Sequence, residues 1–213
     1  MAELLRKIKK KYQRDIAFAQ DLVVEIIYSF FPMAVLHGGT VIWRCFKSNR
    51  FSEDLDFYLE KKDEEKIKKF FENLERYGFE IKKLRIKERS VFSKLSHGGV
   101  EIRVEIVFKK AEATLIDYEC IDGRIIPVRG LRIENLIQEK VDAFIKRKKI
   151  RDLYDVYYLL KFVEKSERIK KKILNLLKSF EKPEDEKDLE KVIIFGYAPK
   201  SEEILEYLKM WLK

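Results

Sequence analysis

Histidine and cysteine are scarce in this chain, two of each in 213 residues. Cys45 and Cys120 are widely spaced and keep no metal-ligand company, so they build neither a disulfide scaffold nor a zinc site. They read as reduced core or boundary residues. His37 and His97 are just as isolated in the sequence. His37-Gly38-Gly39 has the look of an esterase oxyanion turn, but no Gly-x-Ser-x-Gly nucleophile elbow exists to go with it. No apolar run approaches membrane-spanning length, and the basic start lacks the uninterrupted apolar region of a secretory signal. The expectation is a cytoplasmic protein with no membrane segment. Asparagine and glutamine are few, four and three, and no internal repeat or low-complexity tract stands out.

What is abundant is charge. Asp, Glu, Lys and Arg make up 39% of the residues, with a net charge of +9. The lysine and glutamate bias is shared with proteins from hot environments. The positive excess either suits an acidic partner, nucleic acid first, or reflects a solvated lysine-rich surface. Hydrophobic residues at 46% and aromatics at 13% supply a sizeable core, in one large domain or two small ones.

Apolar spacing predicts one or two amphipathic helices over residues 3–30, halted before Pro32. Their basic cluster, Arg6 to Lys11 with Arg14, is either a phosphate-contacting patch or a solvated face. Residues 33–36 read as a short buried strand, and the chain restarts as a helix at Thr40. A helix over 63–77 ends at Gly78. Strands follow at 79–86, 90–96, 100–108, 114–118 and 124–128, with turns at His97-Gly98-Gly99 and Asp122-Gly123. From Leu131 the pattern is helical, at 131–145, 150–163, 169–180 and 202–212, with a charged, proline-containing segment at 181–190. The fold class is α/β (α+β): a mixed sheet with flanking helices over 1–130, then a helical module over 131–213.

Two stretches can carry chemistry. In Leu36-His37-Gly38-Gly39-Thr40 the glycines let the backbone turn sharply and approach a ligand closely. The helix that follows aims free N–H groups into the turn, which favours a phosphate. In Arg50-Phe51-Ser52-Glu53-Asp54-Leu55-Asp56-Phe57 the aspartates alternate with apolar residues, so a strand sets both carboxylates on one face. Aspartate is disfavoured in strands, and two adjacent like charges call for a cation. A phosphate turn beside two same-facing aspartates is what a magnesium-dependent nucleotide site needs. The plain alternative is a pair of solvent-facing strand residues. Thr40 and Ser52 are either caps and turn residues or hydroxyl contacts to a triphosphate. Arg50 either neutralises a phosphate or braces the aspartate strand.

Gly-Gly-Thr at 38–40, Arg-x-Ser-x-Asp-Leu-Asp-Phe at 50–57 and Arg-Asp-Leu-Tyr-Asp at 151–155 together resemble the AbiEii/AbiGii-type toxin nucleotidyltransferases, within the polymerase-beta-like nucleotidyltransferase superfamily. The resemblance covers about residues 34–160. It implies a nucleotidyltransferase-fold sheet module and transfer of NMP from an NTP to an acceptor hydroxyl, with pyrophosphate released. Asp54 and Asp56 would hold Mg²⁺, one ion or two, and a third carboxylate on a neighbouring strand would help activate the hydroxyl. Glu105 is the favoured third carboxylate, and Glu101 on the same face is its rival. Gly38, Gly39, Thr40 and Ser52 would contact the nucleotide. Lys140 would meet its phosphates as a point charge.

Asp155 would line the nucleotide site or lock the modules together, and it can pair with Arg151 at i,i+4. The run Lys146-Arg147-Lys148-Lys149 either guides an RNA end or is a solvated loop. The resemblance further implies a toxin that acts on tRNA or another RNA and has a separately encoded antitoxin as partner. The rival readings are nucleotidylation of a protein side chain and a non-catalytic nucleotide-binding regulatory module. The intact aspartates argue against the second.

Overall fold

The N-terminal periodicity is taken up by a short helix, α1 (Glu3–Lys7), and a long one, α2 (Lys11–Phe30), in the computed structural model, which describes residues 3–213. α2 buries Ile16, Ala19, Val23, Ile26 and Ile27 at helical spacing. It stops just before Pro32, because the residue preceding a proline is pushed out of the helical region. β1 (Val35–His37) follows, and α3 (Gly38–Arg44) begins directly after it. The sequence sets the start of that helix at Thr40. It comes two residues earlier because Gly38, at φ +76°, makes the corner within one residue.

The chain continues through β2 (Leu55–Leu59) and α4 (Glu64–Arg76), whose first turn is capped by the Asp63 side chain accepting from the Lys66 N–H. Then come β3 (Glu80–Ile86), β4 (Ser90–His97), β5 (Val100–Phe108), β6 (Ala113–Glu119) and β7 (Ile125–Leu131). The seven strands form one mixed sheet in the order β3-β4-β5-β2-β1-β7-β6. β2 lies between β1, its antiparallel neighbour, and β5, its parallel neighbour. β4 and β5 close through Gly98 and Gly99, both at positive φ, as a two-residue hairpin turn requires.

A buried charge cluster fixes α3 in this unit. Arg44 pairs with Asp21 of α2, and its guanidinium lies 4.6 Å from the Trp43 ring and 4.9 Å from the Tyr118 ring. Asp21 also accepts from the Tyr118 hydroxyl at 3.0 Å and from the Ile121 N–H at 2.7 Å. Burying these charges is costly, and the shared hydrogen bonds offset part of that cost. The end of α3 is thereby held against α2 and β6, and the glycine turn at its start is set with it.

The chain divides into two compact units, Met1–Lys47 with Phe51–Leu131, and Ser48–Arg50 with Arg132–Lys213. The second unit holds α5 (Ile133–Arg147), α6 (Ile150–Leu159), a 3-10 turn (Leu160–Phe162), α7 (Glu167–Lys178), α8 (Asp188–Val192) and α9 (Ser201–Leu212). Ser48–Arg50 joins it through a bridge from Arg50 to Ile193 and a hydrogen bond from the Ile194 N–H to the Asn49 carbonyl at 2.8 Å. The stretch 50–57 is thus divided, with Arg50 in the second unit and the aspartates in the first. Among the described residues no helix is long and apolar enough to cross a membrane.

Candidate active site

The central strands bring the carboxylates together. Antiparallel pairing sets His37 beside Asp56, and parallel pairing sets Asp56 beside Glu105. Residues in register share a sheet face, so the Asp56 and Glu105 side chains stand next to one another. The opposite face of β5 buries Ile102, Val104 and Ile106. Asp54, two residues before Asp56, lies on the carboxylate face by the same alternation. Glu101 is four residues back along β5 and pairs with Lys94 at 2.5 Å. Glu105, not Glu101, is therefore the register neighbour of Asp56.

The glycine turn leans on this carboxylate. A Cβ on Gly38 would lie 2.2 Å from Oδ2 of Asp56, so any side chain there collides with the site. Of the two glycines only Gly38 has a positive φ; Gly39 is buried within α3. Thr40 is buried too, and its hydroxyl donates to the Asp54 carbonyl. That hydroxyl ties α3 to the segment entering β2. Ser52 is half-buried, and its carbonyl accepts from Gln20 Nε2 at 2.9 Å.

Arg103 was not foreseen as a site residue, although its place between Glu101 and Glu105 on one strand face was legible. Its guanidinium forks onto Asp54, Nε to Oδ1 at 2.8 Å and Nη2 to Oδ2 at 2.5 Å. Those bonds hold Arg103 above the ordinary arginine value. Glu105 is also raised, first by desolvation on the sheet face and then by repulsion from Asp56.

Asp54, Asp56 and Glu105 suit Mg²⁺ in kind: all are hard oxygen donors, and the Asp56–Glu105 repulsion is one that a cation relieves. Among the described residues, however, no three His, Cys, Asp or Glu side chains are gathered as a ready metal cage. Asp54 is turned to Arg103 instead.

The second unit buries its own chain of charge. Asp155 is fully buried and accepts a fork from Arg50, Nε at 2.7 Å and Nη2 at 2.8 Å. Lys140, on the apolar stripe of α5 beside Leu136, Ile137, Val141 and Phe144, reaches Asp155 at 2.7 Å and Asp152 at 3.7 Å. Asp152 in turn takes a fork from Arg147 at 2.6 and 2.7 Å. Burial alone would raise Asp155, but Arg50 and Lys140 outweigh it and hold the carboxyl below the usual range. Arg50, not Arg151, is thus the arginine of Asp155, and Arg151 is exposed. The basic run is partly committed as well. Arg147 serves Asp152, and Lys148 donates to the Ser179 carbonyl at 2.7 Å and pairs with Glu181 at 3.0 Å.

A central mixed sheet that lines up carboxylates beside a glycine turn, with a helical unit after it, is a nucleotidyltransferase-like fold. The chain belongs to the nucleotidyl transferase AbiEii toxin family of type IV toxin–antitoxin systems, whose model matches residues 22–206. Among solved structures it is similar to JHP933 from Helicobacter pylori, with a TM-score of 0.68 and 18% identity over 95% of this chain and 91% of that one. It is also similar to MenT4, a nucleotidyltransferase toxin from Mycobacterium tuberculosis H37Rv, with a TM-score of 0.66 and 16% identity over 92% and 81% of the two chains. At these identities the likeness speaks for the fold alone. No curated protein matches the sequence.

Proposed function

We propose that this chain transfers a nucleoside monophosphate from an NTP to an acceptor hydroxyl, as the toxin of a toxin–antitoxin pair acting on tRNA or another RNA. In that reaction the hydroxyl oxygen attacks the α-phosphorus, the bond to the β-phosphate breaks, and pyrophosphate leaves. The observation that carries the reading is the register of Asp56 with Glu105, beside a glycine whose missing side chain leaves room at Asp56.

Asp54, Asp56 and Glu105 are the residues that would hold Mg²⁺, one ion or two. When bound, the metal supplies positive charge to the triphosphate. Glu105 stands beside Asp56 to draw the proton from the attacking hydroxyl. Gly38 and Gly39 allow the nucleotide close to the backbone, and Thr40 and Ser52 hold the segments on either side. In the second unit the candidate for nucleotide contact is Lys140, with the fully buried Asp155 holding it in place. The separately encoded antitoxin is the expected protein partner.

The test is incubation with each labelled NTP and total RNA, with and without Mg²⁺, for the native protein and Asp56→Asn. Label should pass to RNA only with Mg²⁺ and only with the native protein. Asp56→Asn removes charge but almost no volume, so its fold should survive, as circular dichroism would report. Label on protein instead of RNA would move the acceptor to a side chain. Transfer by Asp56→Asn with unchanged metal dependence would overturn the site.

A further inference from the structure

The fork between Arg103 and Asp54 is far more open than the buried fork between Arg50 and Asp155. Arg50 and Asp155 are 4% and 0% exposed at their side chains, whereas Arg103 and Asp54 are 47% and 26% exposed. A fork in water is worth little and opens readily, because solvent screens the charges and competes for the same donors. An exposed pair is therefore a poor structural lock. It nevertheless takes both oxygens of Asp54.

Arg103 also stands on the same sheet face as Glu105, and the nearby carboxylates are its main electrostatic neighbours. The next cation along this face, Lys94, is opposite Arg103 in the β4–β5 register but is paired with Glu101. Arg103 thus offsets charge on the neighbouring Asp54, Asp56 and Glu105 in the metal-free protein. A divalent ion draws on the same oxygens, so a fork that takes both of them competes with the metal for Asp54.

We infer that Arg103 is an exchangeable counter-cation: it holds Asp54 in the metal-free protein and must leave it for a divalent ion to bind. This makes Arg103 a positioning residue that sets metal affinity, and it rests on the reading of Asp54 as a metal ligand. Three carboxylates on one face repel one another, and Arg103 relieves that repulsion until the ion arrives. Binding of the ion is then a swap of one positive partner for another, so its affinity is lowered by whatever the fork contributes.

Two measurements on the full chain without nucleotide test this. Free Mn²⁺ is followed by electron paramagnetic resonance in titrations of the native protein, Arg103→Met, Arg103→Lys and Lys94→Met. Arg103→Met should bind Mn²⁺ roughly fivefold tighter than the native protein, the upper end of what an exposed pair contributes. Arg103→Lys should fall between the two, since it keeps the charge and loses the fork. Lys94→Met removes the same charge from the same face without freeing Asp54, and should change affinity less than about twofold.

In the second measurement the Arg103 Nε–H resonance of the native protein, assigned by its loss in Arg103→Lys, is followed against Mg²⁺. It should move along the metal-binding isotherm. A stationary resonance at Mg²⁺ saturation, or equal tightening by Arg103→Met and Lys94→Met, overturns the inference and leaves the metal site standing. Failure of every protein to bind Mn²⁺ would remove the metal assignment and this inference together.

Discussion

At the scale of single residues, Gly38 is the most constrained position in the site. Its φ of +76° is unfavourable for any side chain, and a Cβ there would press within 2.2 Å of an Asp56 oxygen. The backbone term alone costs about 1–2 kcal/mol, and the collision adds a shift of the carboxylate itself. Gly38→Ala should therefore lower thermal stability modestly and weaken NTP binding by more than that loss explains. Calorimetric titration with a nonhydrolysable NTP, beside a melting curve, separates the two. Unchanged nucleotide affinity would leave Gly38 as a structural corner only. Thr40 is constrained in a different way. Because its hydroxyl donates to the Asp54 carbonyl, Thr40→Val, which keeps the shape and loses the donor, should disturb the entry to β2. The expected signature is weaker metal binding at nearly native volume and packing, read by the same Mn²⁺ titration.

At the scale of elements, α5 and α6 are joined by alternating charge, Arg50–Asp155–Lys140–Asp152–Arg147, all within the second unit. Removing one member of a buried set leaves the others unpaired, which typically costs about 3–5 kcal/mol. Asp155→Asn should lose stability of that order at pH 7, measured by urea unfolding. The sign of the pH dependence follows from its depressed carboxyl. The stabilisation is fully present above the unfolded value of about 3.9 and is lost as pH falls through the lower folded value. The gap between native and Asp155→Asn should thus be constant from neutral pH down to about 4 and close in stronger acid. A gap unchanged at pH 2 would show that Asp155 contributes through shape and not through charge.

Part of this was legible beforehand. A lysine on an apolar helical stripe, Lys140 between Ile137 and Val141, is visible in the bare sequence, as are Asp152 and Asp155 among the apolar positions of α6. The partner of Asp155 was not, since Arg50 lies 105 residues away and no local spacing connects them. The same reason hid the fork from Arg103 to Asp54. Strand alternation gave the faces of β2 and β5 and left Glu105 favoured over Glu101, but only pairing across strands sets Glu105 directly beside Asp56. α8 escaped notice because its five residues bury a single side chain, Leu189, inside a charged segment.

At the scale of the whole molecule, the net charge of +9 raises the question of where an RNA acceptor would lie. Such an acceptor brings its own phosphates, and lysines or arginines near the site should offset them. The run 146–149 is the candidate from sequence, but its members are not equivalent. Arg147 is spent on buried Asp152, and Lys148 holds the αL cap of α5 and the Ser179 carbonyl, so changing either perturbs the fold. Lys146 and Lys149 are exposed, and the pairing of Lys149 with Asp185 is a loose 3.6 Å.

The informative variant is therefore Lys146→Gln with Lys149→Gln. The control is Lys68→Gln with Lys69→Gln, which removes the same charge from the exposed face of α4. If the run binds RNA, the first pair should reduce the slope of log affinity against log salt by about 0.7–0.9 for each phosphate no longer neutralised, and the control pair should not. NTP affinity should stay the same in both, because none of the four lysines is among the proposed nucleotide-binding residues. Equal slopes in all three proteins would withdraw the run from RNA binding. With two of its four cations already committed within the fold, that outcome would favour a protein side chain as the acceptor.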